Sequence, residues 1–433
     1  MFQTIKNAWK LEDLRRKILF VLFILVLYRV GSQIPVPFLT ADLAASMNAA
    51  TEGSILQYLN ILTGGAFARA TLFALGVSPY ITSSIVIQLL SVAFDKLGEL
   101  SKQGEEGKKK LNQITRFVTV GLALLTAIGY YFMLRNYDYL TDKSVFAAIV
   151  IIVCYVAGSA LVMWLAEKIN ENGIGNGISL ILFANIVSSG PSILSTLITL
   201  CKGEYAGIGQ VGGILISIAG VIIGIGMLVL IVFITNSERR IPVQYAKKVV
   251  GRKMYGGQSS NLPIKLNNTG VMPIIFASSI VSLPATIGMF FDYSKSKFWT
   301  GFFNFFSSDN WPYAIITLVL IIAFAYFYIM ISFNPIEVAN NLKKNGGSIP
   351  GIRPGKPTSD YITRVLNRIT LIGAIFLAVI AVFPMILNII SDGVMAGLAF
   401  GGSSIIIVVG VVLETAREIE GQMTMRHYKG FLE

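Results

Sequence analysis

The side chains that most often carry chemistry are scarce in this sequence, and they lie far apart. The two cysteines, Cys154 and Cys201, stand in separate apolar stretches, and the one histidine, His427, is among the last seven residues. No C-x-x-C pair and no Cys/His ligand set occurs, so a disulfide scaffold and a structural zinc site are excluded. A P-loop is also absent, which excludes nucleotide hydrolysis by that route. We therefore predict no catalytic residue, no metal ligand and no cofactor.

Polar side chains cluster instead at the starts of otherwise apolar segments. Within 74–90, hydroxyl and amide groups at Ser78, Thr82, Ser83, Ser84 and Gln88 fall within about three helical turns. Lipid offers no partner for so many hydroxyls, so this face is expected to contact protein or water. Ordinary packing between helices is an equally good alternative. Two further segments have unusual starts. Three of the five residues in 173–177 are glycines, and 270–292 has a polar start that contains a proline.

The elements that carry these clusters are membrane-spanning helices. The chain is 54% hydrophobic and only 13% charged, whereas soluble domains carry about 25% charged residues. A bilayer needs about 20 apolar residues per helix, and ten segments of that kind are present. They are 18–35, 71–94, 114–135, 145–166, 175–199, 211–235, 270–292, 311–333, 363–389 and 394–415. The sequence thus predicts an all-α polytopic membrane protein with ten transmembrane helices.

The distribution of Lys and Arg predicts the topology. Most of the 35 basic residues fall in the N-terminal segment, in every second connection and in the tail, which by the positive-inside rule places both termini in the cytoplasm. Ten spans divide into two halves of five. Because five is odd, the second half would be inverted in the membrane relative to the first if the halves are structural repeats. We expect a cytoplasmic segment 1–17, halves 18–199 and 200–415, and a cytoplasmic tail 416–433.

Residues 51–70 are apolar at helical spacing but too short to span. Ile55, Leu59 and Leu62 share one face, and Gly64 and Gly65 separate them from the next apolar run. The segment could fold back into a cavity on the external side or lie as an interfacial helix on the membrane. Spacing alone favours the interfacial helix.

Two connections, 236–269 and 334–368, are long, basic and rich in glycine, proline and aromatic residues. Setting topology explains part of their charge, but their length favours a docking surface for an acidic or nucleic-acid-containing partner. No Asp, Glu, Lys or His lies in the middle of a span, which weighs against an ion-coupled transporter. A secondary transporter for a small solute remains the main alternative function, and a lipid-modifying enzyme is a distant third.

Six blocks of the sequence closely resemble the SecY family of bacterial protein-translocation channels. They are 68–90, 167–179, 238–248, 270–280, 334–347 and 350–358, in the family's order and spacing. The resemblance implies a non-enzymatic, pore-forming subunit of the preprotein translocase in the bacterial plasma membrane, with two five-helix halves around an hourglass pore. It would pass unfolded secretory proteins and release membrane segments into lipid. The implied partners are SecE, SecG, the SecA ATPase, the ribosome, signal peptides and membrane lipid, without sequence-specific nucleic-acid binding.

The resemblance also assigns roles to particular residues. An aliphatic pore ring falls on Val77, Ile81, Ile178, Leu182, Ile275 and Ile407, where water and ions would be excluded by dewetting. The segment 51–70, with Ile55, Leu59, Leu62, Gly64 and Gly65, becomes the plug, which reverses the preference for an interfacial helix. The lateral gate falls on Thr82, Ser83, Gln88, Asn176, Ser278 and Ser279. Docking of SecA or the ribosome falls on Arg239, Arg240, Lys247, Lys248, Arg252, Lys253, Arg353 and Lys356.

Overall fold

The chain is mostly helical, with apolar helices packed side by side. The computed structural model describes residues 6, 8–40, 47, 56–202, 210–245, 248–250, 253–255, 259–267, 269–288, 290, 297–306, 310–390 and 401–429. The helices before the first strand are α1 (Glu12–Gly31), α2 (Leu56–Leu62), α3 (Ser78–Ala93), α4 (Asp95–Lys102), α5 (Glu105–Asn136), α6 (Val145–Asn172), α7 (Gly177–Ser188), α8 (Gly190–Lys202) and α9 (Gln210–Asn236). The later helices are α10 (Met272–Val281), α11 (Leu283–Gly288), α12 (Lys297–Phe305), α13 (Trp311–Ser332), α14 (Pro335–Lys344), α15 (Lys356–Ile390) and α16 (Gly401–Lys429).

Each of the ten predicted spans contains at least one helix. Within the described residues, α5, α6, α9, α13 and α15 are long and apolar enough to cross a membrane, and α3, α7 and α10 are shorter apolar helices. Helices α1 and α16 occupy the first and tenth predicted spans. Large apolar side chains remain exposed along α9 and α13. In water such surface would be costly, but lipid accepts it.

The helix boundaries differ from the predicted spans where glycine and proline interrupt the helix. The second span was expected from residue 71, but residues 63–77 form successive turns and α3 begins at Ser78, with Pro79 in its first turn. Proline is tolerated there because the first N–H groups of a helix have no intrahelical partner. The fifth span divides into α7 and α8 before Pro191, and the seventh divides into α10 and α11 before Pro284.

A small β-sheet corrects the all-α prediction. Strand β1 (Glu238–Tyr245) pairs antiparallel with β4 (Ser259–Lys265) on one edge and with β5 (Gly347–Ser348) on the other. Strands β2 (Lys248–Val250) and β3 (Lys253–Tyr255) form a separate hairpin. In β1, Ile241 and Val243 are buried and their neighbours are exposed, the alternation of a sheet with one covered face. The sheet therefore joins the two long basic connections into one unit.

The largest apolar core lies between helices from both predicted halves. Buried side chains from α1, α3, α6, α7, α9, α10, α13, α15 and α16 form one cluster. A second cluster packs the turns of 66–75 against α5 and α6. A third lies under the three-stranded sheet, against α14 and the first turns of α15. These three clusters fix the positions of the candidate site residues.

Candidate functional site

The six residues of the expected pore ring lie on or beside four helices and belong to the largest described apolar core or pack against it. Val77 precedes α3 and Ile81 lies one turn along it, Ile178 and Leu182 lie on α7, Ile275 on α10 and Ile407 on α16. All are buried in the largest core cluster except Ile178, which is half-buried and packs against it. A contact of branched aliphatic side chains excludes water and has no hydrogen-bonding preference, so it can block ions while yielding to chains of varied sequence.

The segment following α2 is held by hydrogen bonds to its backbone. Leu59 and Leu62 are buried, whereas Ile55 lies outside the described residues. The Thr63 hydroxyl donates to the Leu59 carbonyl at 3.0 Å and accepts from the Phe67 amide at 3.1 Å. From the neighbouring helices, Tyr130 on α5 donates to the Phe67 carbonyl at 2.5 Å and Tyr155 on α6 to the Ala70 carbonyl at 3.3 Å.

Helices α1 and α7 hold the same segment from another direction. Asn185 Nδ2 on α7 donates to the Leu62 carbonyl at 2.7 Å and to the Tyr28 hydroxyl on α1 at 2.9 Å. The Gly64 carbonyl accepts from Arg29 Nη1 at 3.3 Å and from Arg69 Nη2 at 3.1 Å. Removal of the Asn185 donor would leave the Leu62 carbonyl without a hydrogen-bond partner, whereas the Gly64 carbonyl has two donors.

Gly64 allows the close approach of these elements. Its φ is +62°, and a Cβ built there would lie 2.7 Å from Ser188 Oγ and 3.1 Å from the Cα of Asn185. A side chain at this position would strain the left-handed backbone, and its Cβ would require Ser188 or the backbone at Asn185 to shift. Tyr28 and Asn185 were missed by sequence reasoning. The sequence feature that indicates polar contacts in this region is Arg29, a charged residue that follows Tyr28 at the end of an apolar span.

Five of the six residues expected at the lateral gate lie on α3 or α10, and Asn176 lies just before α7. Helices α3 and α10 are in contact, and the Thr82 and Ser279 hydroxyls on them donate to carbonyls of their own helices, Ser78 at 3.0 Å and Ile275 at 2.8 Å. Ser278 is buried on α10, and Gln88 Nε2 donates to Ser84 Oγ within α3 at 3.3 Å.

Two of the expected gate residues have other partners. Ser83 donates to the Thr115 carbonyl of α5 at 2.8 Å. The Asn176 Oδ1 accepts from the amides of Ile178 and Ser179 and so caps the N-terminus of α7. The hydrogen bonds of Ser83 and Asn176 therefore point away from the contact between α3 and α10, which we call the α3–α10 seam.

An apolar cavity of about 340 Å³ lies beside this seam. It is lined by α2, the turns after it, α3, α5, α11 and Ser282, which directly follows α10. Its hydroxyl groups belong to Thr63, Ser78, Thr82, Thr126, Ser282 and Thr286. All but Ser78 donate to carbonyls of their own segments, so the wall offers few free polar groups. The sequence gives no signal for this cavity, because only tertiary packing brings α5 and α11 together.

The expected docking residues lie on and beside the β-sheet. Arg239 and Arg240 are exposed on β1, and Arg240 Nε lies 2.7 Å from Glu238 Oε1. Arg353 is exposed, and its backbone carbonyl accepts a hydrogen bond from Thr358 Oγ1 at 2.9 Å. Lys356 is also exposed and is the first residue of α15. Lys248 lies on β2 and Lys253 on β3, while Lys247 and Arg252 fall outside the described residues. The pairing of β1 with β5 thus places both basic connections on one surface.

The base of this surface is tied to α16. Arg417 Nη2 donates at 2.8 Å to the Thr235 carbonyl and at 2.8 Å to Asn236 Oδ1, both at the end of α9. Burial, together with the positive charge of Arg417, lowers the pKa of Lys265 at the end of β4. Glu418 Oε2 accepts from the Gly175 amide before α7 at 2.9 Å. One helix therefore connects the sheet with the segment that carries Ile178.

The chain is similar over its full length to bacterial channel proteins. A family model described as SecY matches residues 71–416. The chain is 41% identical to the protein translocase subunit SecY of Streptomyces galbus and 42% identical to that of Mycobacterium tuberculosis, with 100% of both chains covered in each comparison.

Solved structures share the fold at low sequence identity. A structure of a protein-conducting channel has a TM-score of 0.61 at 17% identity and covers 94% of this chain and 92% of its own. Sec61 in the canine ribosome–channel complex from the endoplasmic reticulum has a TM-score of 0.60 at 17% identity, with the same coverage. The fold is therefore that of the SecY channel, and the protein is a multi-pass membrane protein and not an enzyme. This chain belongs to the SecY family and is the protein-conducting channel subunit of the Sec translocase.

Proposed function

We propose that the chain passes unfolded secretory proteins through the aliphatic cluster of Val77, Ile81, Ile178, Leu182, Ile275 and Ile407. The observation that carries the proposal is that these residues, on or beside four separate helices, belong to one apolar core or pack against it, and that this core also includes Leu62. The two halves, 18–199 and 200–415, would part around this ring. Both termini would lie in the cytoplasm of a bacterial cell, as the distribution of Lys and Arg favours.

The segment 51–70 is proposed as the plug of the closed channel. The hydrogen bonds from Asn185 on α7 and Arg29 on α1 to its described part support this role. A solved structure with a TM-score of 0.62 at 18% identity concerns a SecY plug domain that stabilises the closed state and maintains a membrane seal. The α3–α10 seam is the proposed lateral gate for signal sequences and membrane segments. Ser83 and Asn176 contribute there through the positions of α5 and α7.

The surface formed by the β-sheet and the Arg353 turn is the proposed dock for SecA and the ribosome. Its exposed basic residues suit acidic protein and RNA phosphate, and contact with the ribosome would weaken as salt rises. Related channels have been solved in ribosome complexes, among them the yeast Ssh1 complex on the 80S ribosome. SecE would clamp the two halves and SecG would bind at the periphery.

A protease-protection assay tests the proposal. Proteoliposomes containing this chain and SecE receive SecA, ATP and a precursor with a signal sequence. We expect protected precursor that depends on ATP and is strongly reduced by Arg353→Glu, because charge reversal repels an acidic partner. The matched control is Arg135→Glu at the exposed end of α5, which should export normally.

The outcomes separate the proposal from its main rival. Absence of protected precursor with active partners would contradict the channel function, and solute uptake by the chain alone would favour a secondary transporter. Equal loss of export and of membrane insertion in Arg353→Glu would assign that residue a structural role only.

A further inference from the structure

Helix α12, between the seventh and eighth predicted spans, has a composition unlike that of the other connections. Five of its nine residues are aromatic, in the sequence KFWTGFFNF, and Lys297 is its one charged residue. Phe303 is the buried member, with 4% of its surface exposed. Phe298, Phe302 and Phe305 recur at helical spacing and are exposed, Phe298 to 75%.

Phe303 fastens α12 to the end of the preceding span. A Cβ built on Gly288, the last residue of α11, would lie 3.2 Å from Cε1 of Phe303, so the ring rests directly on this glycine. Trp299 stacks on Phe303 with ring centroids 6.0 Å apart, and Phe302 packs edge-on against it at 5.4 Å. The buried ring thus orients the helix and leaves the other aromatic side chains on its outer surface.

The position of α12 identifies what covers that surface. α11 ends at Gly288 and α13 begins at Trp311, and both belong to apolar segments of a membrane protein, so α12 joins two helix ends on one side of the bilayer. The exposed apolar surface continues on α13, where Trp311 and Ile315 are exposed. Aromatic side chains concentrate where acyl chains meet headgroups, and an amphipathic helix lies there with its apolar face about 5–10 Å deep.

We propose that α12 is an interfacial anchor whose outer face, formed by Phe298, Trp299, Phe302 and Phe305, lies in the headgroup–acyl boundary of the bilayer. The lipid surface is thereby connected through Phe303 and Gly288 to α11. Since Leu283, Thr286 and Ile287 of α11 line the 340 Å³ cavity, this contact fixes the outer wall of the cavity relative to the membrane. The anchor does not depend on the transport proposal, because it requires only the membrane and the fold.

Depth-dependent fluorescence quenching tests the anchor. The protein has four tryptophans, so Trp9, Trp164 and Trp311 are replaced by Phe to leave Trp299 alone. The full chain is placed in vesicles of phosphatidylcholine brominated either near the glycerol or near the terminal methyl. We expect blue-shifted emission that is quenched more by the shallow bromines than by the deep ones and is little affected by aqueous acrylamide.

A second variant keeps the result specific to the exposed face. Phe298→Asp with Phe302→Asp should shift Trp299 emission to the red and raise acrylamide quenching, whereas Phe303 is left in place to preserve the attachment. A protein without tryptophan supplies the background. Quenching by acrylamide but not by bromine would place the helix in water, and protection from both would place it under a second copy or a partner subunit. Either result would overturn the lipid anchor.

Discussion

Two neighbouring regions of this channel are held together in opposite ways. The segment 62–70 is tied across elements, because side chains of α1, α5, α6 and α7 donate to its backbone carbonyls. At the α3–α10 seam, the described side chains hydrogen-bond within their own helix or turn to α5, and apolar packing joins the two helices. Separation of α7 from this segment would leave the Leu62 carbonyl without its side-chain donor, whereas separation of the seam would break none of the hydrogen bonds of Thr82 and Ser279. From this difference we expect 62–70 to resist displacement more strongly than the α3–α10 seam resists opening.

Gly64→Ala is expected to have the largest effect on this contrast. Left-handed backbone at Ala costs about 1–2 kcal/mol, and the added Cβ must displace Ser188 or the backbone of α7. We expect a lower midpoint of thermal unfolding in nanodiscs and a higher resting ion conductance in planar bilayers.

Gly270→Ala is the matched control for this change. Gly270 has a φ of +65°, close to that of Gly64, but nothing lies within 4 Å of its built Cβ, and it stands just before α10. An effect as large as that of Gly64→Ala would show that backbone strain alone explains the result and would contradict the close packing argued for 62–70.

Asn185→Leu should rank second. The substitution removes the donor to the Leu62 carbonyl and to Tyr28, and an unpaired buried acceptor costs about 1–3 kcal/mol. Unfolding should require less denaturant, and the resting conductance should rise. The control is Ser188→Ala, whose hydroxyl donates to the Asn185 carbonyl within α7; a conductance as high as that of Asn185→Leu would argue against a specific hold on Leu62.

Tyr130→Phe and Tyr155→Phe should have graded, smaller effects. The hydroxyl of Tyr130 lies 2.5 Å from the Phe67 carbonyl, and that of Tyr155 lies 3.3 Å from the Ala70 carbonyl. A net hydrogen bond contributes about 1 kcal/mol, so we expect about that loss for Tyr130 and less for Tyr155. The rings contact each other at 5.0 Å, so a double-mutant cycle of unfolding free energies measures their coupling. The reverse order would mean that ring packing outweighs the hydroxyl groups.

Thr82→Val at the seam should have the smallest effect. Its hydroxyl donates to the Ser78 carbonyl in its own helix, which also accepts a helical backbone bond, so no group is left unpaired. We expect the free energy of unfolding to change by at most about 0.5 kcal/mol. A loss similar to that of Asn185→Leu would mean that the seam depends on polar contacts after all.

Much of the fold follows from the sequence, because local composition decides whether a segment can lie in lipid. All ten predicted spans contain helices. The six residues of the expected pore ring all belong to the largest described apolar core or pack against it, and their role stays a prediction. The β-sheet was missed because charged loops give little periodic signal, although Ile241 and Val243 alternate with exposed residues. The start of α3 was placed too early because residues 71–77 are apolar but folded as turns.

The candidate gate shows where sequence reasoning has to stop. Block matching put Ser83 and Asn176 near the seam, but the orientation of a hydroxyl or amide depends on its neighbours in three dimensions. The Thr115 carbonyl of α5 accepts the hydrogen bond of Ser83, and the first amides of α7 donate to Asn176 Oδ1. Neither partner can be identified from residue spacing along one helix.

The sequence by itself determined that the chain lies in a membrane, that its helices need partners on their polar faces, and that no catalytic group is present in a suitable pattern. Hydropathy and charge act over one helix length, so they can be evaluated from the sequence alone. Only the tertiary structure decided that Tyr28 and Asn185 hold Leu62, that two basic connections share a sheet, and that α12 rests on Gly288. Those contacts join residues far apart in the chain, and the packing of whole helices must exist before they can form.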